Sequence, residues 1–335
     1  MNAPANGQVT PQRLMQIAWS YAAPLIIESA IRTGIFDTLD ESPKNLEQVH
    51  TATGASTRGL AAIMNALCGL EFLDRDAQGR YSLTPESAAF LVRSKPSFMG
   101  GLLVHTSSQL IPKWLQLTEI VKTGKPVGAV NQQDTGAEFF QQFVADIFPM
   151  SYPPAQALAA TLKLGTARVL DLAAGSGVWG ISLAQSSPQV EVTAVDWPAV
   201  VPVTKKTAAR FGLEDRFTFI AGDLHSADFG SGYNVSTLGH ILHSEGESRS
   251  RALLKKTFEA LAPGGTIAIA EFLVDTDRKG PVTGLFFAVN MLVNTDEGNT
   301  FSAEEIFAWL NEAGFVNPRL LDAPGPSPLI LATKP

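Results

Sequence analysis

Between Arg168 and Leu172 the chain is β-prone, and it then runs Ala173-Ala174-Gly175-Ser176-Gly177-Val178-Trp179-Gly180 into a helical pattern. Gly175, Gly177 and Gly180 fit G-x-G-x-x-G, a spacing that lets backbone approach a ligand at a helix N-terminus. Asp171 precedes the turn, where a carboxylate can fix the loop or meet an ammonium group. A second β-prone run, Glu191–Asp196, ends in a carboxylate placed to accept hydrogen bonds from two ribose hydroxyls. Trp197 follows it and can cover an adenine face. A third run ends in Gly222-Asp223-Leu224, where Asp223 can accept an adenine amino proton. In open α/β sheets ligands gather at the carboxyl ends of the strands, and all of these groups fall there. Their chemistry is that of a nucleoside-bearing cofactor, which NAD and S-adenosylmethionine satisfy alike.

The elements that position these groups follow from periodicity. After the three runs come a fourth (residues 233–242), a helix, a fifth (residues 264–274), a stretch of helical spacing, and two closing runs (residues 314–324 and 327–335) that suit an antiparallel hairpin. The expected fold is α/β, a doubly wound, seven-stranded, Rossmann-like sheet. On one face of the helical stretch recur Phe286, Phe287, Asn290, Met291 and Asn294. Apolar groups with a few polar ones between them suit a pocket for a small, mostly apolar ligand.

Ahead of this domain, Leu14–Ile35 has apolar residues at helical spacing and a stop at Gly34. Two further helical segments follow, then strand-like runs around an Asp76–Gly79 turn. Helix, helix and wing describe a winged-helix-like domain. Residues 1–95 hold eight basic residues against nine acidic ones, and Ser56–Leu70, in the place of a recognition helix, has Arg58 as its one basic side chain. That is the wrong electrostatics for DNA. Helices this apolar call for a cover, and a second copy of the domain is the expected one, giving a homodimer. The division expected is 1–110 and 111–335, with residues 112–126 a bridging helix and 127–136 a loop.

A net charge of −7 without a basic stripe argues against nucleic acid as a partner. Cys68 is the single cysteine, so an intrachain disulfide is impossible. Apolar runs are interrupted short of the ~20 residues of a membrane span, and the first residues do not read as a secretory signal. A cytoplasmic protein acting on small molecules, with no membrane partner, is the expectation.

Residues 169–180, 195–200, 221–224 and 239–272, with W-x-x-L-T-E-x-V-x-T-G-K-P over residues 114–126, together resemble the plant-type small-molecule O-methyltransferases, which include caffeate and hydroxyindole O-methyltransferases. The resemblance spans nearly the whole chain. It implies S-adenosylmethionine as methyl donor, with S-adenosylhomocysteine as product, a homodimer made by the N-terminal domain, and His243 as general base oriented by Glu271. A phenol has a pKa of about 10 and a histidine about 6.5, so a neutral imidazole suits a hydroxyl that grows acidic in the transition state. An aromatic or polyketide-like acceptor is implied, met by Phe287, Asn290, Met291 and Asn294. His240 is expected as a pocket wall, and no metal is expected, since His240 and His243 lack a third ligand at recognisable spacing. The chain departs from the family pattern at three places: alanines at 173 and 174 in the glycine turn, Ser244 for the aspartate after the base, and Thr300 for a second carboxylate. A hydroxylase or other oxidoreductase on this scaffold, and a non-catalytic cofactor-binding dimer, stand as alternatives.

Overall fold

A computed structural model describes residues 9–335, apart from the side chains of Thr135 and Gln142. The chain divides into two compact units, Met1–Ile111 and Pro112–Pro335.

In the first unit, helices Gln12–Trp19, Ala22–Thr33, Ile35–Leu39, Leu46–Thr53 and Thr57–Gly69 are followed by a two-stranded antiparallel hairpin, β1 (Leu73–Arg75) and β2 (Tyr81–Leu83). The helix expected from Leu14 to Ile35 is broken at Ser20–Tyr21 and ends at Gly34, whose φ of 75° is the left-handed conformation that glycine adopts without steric cost. Asn45 and Gln48 form a reciprocal capping box, and Ser56 caps the following helix. Asp76 holds the hairpin turn by accepting from the backbone of Gln78 and Arg80. Ile31, Phe36, Leu60, Met64, Leu67, Leu73 and Tyr81 make the core. Leu14, Met15, Ile17, Trp19 and Tyr21 lie outside it and are exposed. By length and composition Gln12–Thr33 is apolar enough to cross a bilayer, with mean hydropathy 1.2. Counting unbroken apolar runs overlooks it, because its charges are spaced along the segment.

The second unit is built on a seven-stranded sheet: β3 (Ala167–Leu172), β4 (Val190–Asp196), β5 (Phe217–Ala221), β6 (Tyr233–Gly239), β7 (Leu261–Ala270), β8 (Val316–Leu321) and β9 (Leu329–Thr333). Their order is β5-β4-β3-β6-β7-β9-β8; the first five run parallel, and β9 is antiparallel to both neighbours. This is the expected doubly wound sheet with its closing hairpin. Alternation along the strands splits the core into two layers. Val169, Val192, Val235 and Ala268 face one, and Leu170, Leu172, Val195 and Ile267 face the other.

Two expectations for the start of this unit need correction. The bridging helix is two pieces, Ile111–Trp114 and Leu117–Thr123, and buries Ile120 while Val121 is exposed. Helix Gln133–Phe143 starts inside the stretch expected to be loop.

Candidate active site

Strand order reverses between β3 and β6, and the segments that leave their carboxyl ends carry the two halves of the site. A crevice at such a switch point is where ligands of open α/β sheets sit. From β3 comes the glycine turn; from β6 come His240 and His243.

Asp171 is fully buried and braces the turn. Its Oδ2 accepts from the Gly180 backbone N–H at 3.0 Å and its Oδ1 from the Thr237 hydroxyl at 2.7 Å. Burial pushes its carboxyl up to about 7, against the pull of those two hydrogen bonds and with the push of nearby Asp196. Of the two roles open to it in sequence, fixing the loop is the one its contacts perform. Gly177 has φ 79°, and a Cβ there would stand 2.9 Å from Thr204 Cγ2; at Gly180 it would stand 2.7 Å from Val192. These two glycines serve close packing of turn, helix and strand. Gly175 turns its N–H to Asp196 Oδ2 at 2.7 Å, and its carbonyl accepts from Thr204 Oγ1 at 2.7 Å. Ala173 holds a left-handed φ of 51° at a position where the family pattern has glycine.

Asp196, half-buried at the end of β4, accepts through Oδ1 from the Trp197 backbone N–H at 2.7 Å as well as through Oδ2 from Gly175. Burial raises its carboxyl to about 6 despite both hydrogen bonds. Each oxygen keeps a further lone pair, so the group is oriented and still able to accept. Trp197 is half-buried and meets Phe140 edge-on at 5.8 Å. Next to β4, Gly222 donates its N–H to the Asp196 carbonyl, which brings the end of β5 to the end of β4. Asp223 Oδ1 accepts from the His225 backbone N–H at 2.8 Å, and Leu224 is buried. Two oriented carboxylates on adjacent strand ends, with an indole beside one, are the acceptors and the flat face that an adenosyl group requires. The residues present therefore fit that cofactor.

His243 and Glu271 form the second half. His243 Nδ1 lies 2.7 Å from Glu271 Oε2, and both side chains are buried. An ionised carboxylate only accepts, so Nδ1 carries the proton and Nε2 is left as the acceptor. Burial alone would raise Glu271, but the attraction of the charge that the His243 imidazole carries when it takes a second proton, together with the hydrogen bonds from its ring and backbone N–H, brings the carboxyl below the ordinary range. Phe287 meets the imidazole edge-on at 4.8 Å and packs on Phe272 with the two rings tilted and their centroids 4.0 Å apart. The imidazole thus stands against an aromatic wall.

β6 was expected to run on to Leu242; it ends at Gly239, and His240 takes a left-handed φ of 62° before the helix begins at Leu242. Gly239 has no room for a side chain, since a Cβ would stand 2.0 Å from Trp179 Nε1. His240 lies against Phe272 at 5.0 Å, and burial lowers its imidazole to about 4, so the ring is neutral. One ligating atom from each of His240, His243 and Glu271 lies within 4.8 Å of the others. Spacing could not reveal that third group, which β7 brings to the histidines. Glu271 already serves the His243 imidazole, and bonds of about 2.1 Å to a shared ion would draw the three atoms closer than that limit requires.

Asn290 and Asn294 are engaged with each other. Asn290 Oδ1 accepts from Trp114 Nε1 at 3.1 Å and from Asn294 Nδ2 at 3.1 Å, and Asn294 and Met291 are buried. Phe286, on the same helix, is exposed. Of the face read in sequence, Phe287 packs against the His243 imidazole. The loop that carries Thr300 buttresses the site: Asn299 donates its N–H to the His243 carbonyl at 2.8 Å, and Thr300 is buried. Thr237, Thr204 and Phe272 carry no motif and were missed; each shows itself only once strands are paired.

Comparison with known proteins is in keeping with this geometry. An O-methyltransferase domain matches residues 119–316, and an O-methyltransferase dimerisation domain matches residues 15–93. The 3-hydroxy-5-methyl-1-naphthoate 3-O-methyltransferase of Streptomyces sahachiroi is 31% identical over 91% of this chain and 89% of its own length. The tetracenomycin polyketide synthesis 8-O-methyl transferase of Streptomyces glaucescens is 26% identical over 97% of each. A solved Nostoc punctiforme protein, provisionally described as an O-methyltransferase, superposes with a TM-score of 0.90 at 27% identity over 98% of this chain and all of its own. The chain belongs to the O-methyltransferase family.

Proposed function

We propose that this protein transfers a methyl group from S-adenosylmethionine to a hydroxyl of a small, mostly apolar, aromatic or polyketide-like acceptor, with His243 as general base. The buried His243–Glu271 pair, 2.7 Å apart beside the switch-point crevice, carries the reading. When bound, the donor supplies an electrophilic methyl on a sulfonium; the chain's own residues do the rest. Asp196 and Asp223 accept from the nucleoside, with Trp197, Gly222 and Leu224 as its surroundings, and Gly175 and Gly177 shape the turn that meets it. Asp171 keeps that turn in place. His243 Nε2 takes the acceptor's proton as the new oxygen–carbon bond forms, and Glu271 steadies the imidazolium that results. Phe272 and Phe287 hold an aromatic acceptor flat and keep water from the base. Alignment of the reacting atoms supplies much of the rate, so Thr300 in place of a second carboxylate leaves a working site. The naphthoate and polyketide substrates in the names of the two relatives agree with an aromatic wall, and the dimerisation domain supports a homodimer through the exposed face of Gln12–Tyr21.

The test is to incubate the protein with methyl-labelled S-adenosylmethionine and a panel of naphthols and phenols, to locate the methyl by NMR, and to titrate S-adenosylmethionine and NAD by calorimetry. Label on oxygen, with adenosyl binding lost in Asp196→Ala, is the expected result. Binding of NAD alone would make this an oxidoreductase. Adenosyl binding with no product, and no response to His243→Ala, would make it a binding dimer.

A further inference from the structure

His240 Nδ1 is buried, yet no described residue hydrogen-bonds it. Buried ring nitrogens ordinarily have partners, and one without a protein partner marks a place where a ligand completes the pairing. The position is specific. The ring lies tilted on Phe272, the same residue that packs with Phe287 beside His243, and its centroid is 6.4 Å from that of His243. A ring nitrogen of each histidine lies within 4.8 Å of the other. The left-handed backbone at His240, with its N–H given to the Ala270 carbonyl at 2.8 Å, fixes where the ring can point. A neutral imidazole both donates and accepts, so hydroxyl and carbonyl oxygens suit it equally.

We infer that His240 is a specificity-determining residue whose imidazole hydrogen-bonds a second oxygen of the acceptor, adjacent on the same ring to the hydroxyl that His243 deprotonates. Hydrogen bonds of about 2.8 Å from two imidazoles whose centroids are 6.4 Å apart reach neighbouring oxygens of one arene. A monohydroxylated arene leaves the nitrogen unpaired in the complex, and that mismatch is the source of discrimination. This deepens the reading proposed above and rests on it.

The experiment compares 2,3-dihydroxynaphthalene with 2-naphthol, as kcat/KM with S-adenosylmethionine and as affinity by calorimetry with S-adenosylhomocysteine present. The protein should favour the diol by about tenfold or more, the worth of one well-made hydrogen bond. In His240→Phe the ratio should fall to near one, mainly through KM. In His240→Asn, which keeps a hydrogen-bonding atom near the place of Nδ1 and tolerates the left-handed backbone, part of the preference should return. A ratio near one in the unaltered protein, a ratio unmoved in His240→Phe, or equal loss in both variants would overturn the assignment. Absence of label in either product would refute methyl transfer, while the affinity ratio would still decide the role of His240.

Discussion

Glu271 grips His243 twice, accepting from the imidazole Nδ1 at 2.7 Å and from the backbone N–H of the same residue at 3.3 Å. One carboxylate thereby fixes both the tautomer of the ring and the start of the helix that carries it. Glu271→Gln should lower kcat about tenfold to a hundredfold, because an amide can present the wrong group to Nδ1, and His243→Ala should cost about 10²–10⁴. Steady-state kinetics with labelled donor checks both. Cofactor affinity by calorimetry should hardly move in either variant, and a matching loss there would contradict the assignment of the base.

The Asp196 carboxyl, raised by burial to about 6, should make cofactor affinity depend on pH. A protonated carboxyl gives up an acceptor site, so affinity should be level above pH 7 and fall below pH 6, by up to tenfold per unit. Calorimetry across pH 5–8 measures the slope. Asp196→Asn should bind weakly and show no such slope.

Asp171 offers a test in stability. Asp171→Ala strands the Thr237 hydroxyl and the Gly180 N–H in the interior, and about 2–4 kcal/mol should be lost in urea unfolding. The pH dependence has a definite sign. The folded carboxyl is held at about 7 against its ordinary 3.8, so the stability tied to its protonated form is complete below about pH 4 and is lost as pH rises through 7. Asp171→Asn cannot titrate and should remove that part of the slope.

Ala173 sits at φ 51°, a conformation that costs an L-residue roughly 1 kcal/mol or more and glycine almost nothing. Ala173→Gly should therefore raise stability by up to about 1 kcal/mol, offset in part by the freer unfolded chain. An unchanged or lower urea midpoint would show that the Ala173 methyl group makes packing contacts of comparable worth.

The exposed apolar face of the N-terminal helix predicts the oligomeric state. Trp19, Leu14 and Ile17 are 68%, 72% and 51% exposed in the single chain, a patch of the kind that marks an interface. Light scattering should report a dimer for the unaltered chain. The double substitution Leu14→Glu, Trp19→Glu should shift it toward monomer; a monomer from the start would leave those side chains without a cover.

How much of this was legible in sequence depends on how local each signal is. The strands, the glycine turn and the carboxylates at the ends of β4 and β5 are written in contiguous residues, where period-two alternation and a single turn suffice. The resemblance supplied His243 and Glu271 as a pair; nothing local could, since 28 residues separate them and only the β6–β7 pairing brings them together. Asp171 and Thr237 likewise meet only through strand pairing, here of β3 with β6. Asn290 and Asn294 show where helical spacing stops being informative. Helical spacing put them on one face correctly, but whether that face meets a cavity or another side chain depends on Trp114, which is 176 residues from Asn290. Helix breaks at Ser20–Tyr21 and near Leu115 escaped because apolar spacing continues across them.

The insertion of β9 between β7 and β8 bears on how the site comes into being. Glu271 follows β7, whose outer edge pairs with Ile330–Thr333. Until those residues emerge during synthesis, β7 offers an unpaired edge and β8 has no neighbour to join, so the strand that delivers Glu271 to His243 is left without half of its hydrogen bonds. The nascent chain can order the turn around Gly175 early, but the His243–Glu271 pair is assembled late. For that interval the open edge is a surface on which a second chain can pair wrongly.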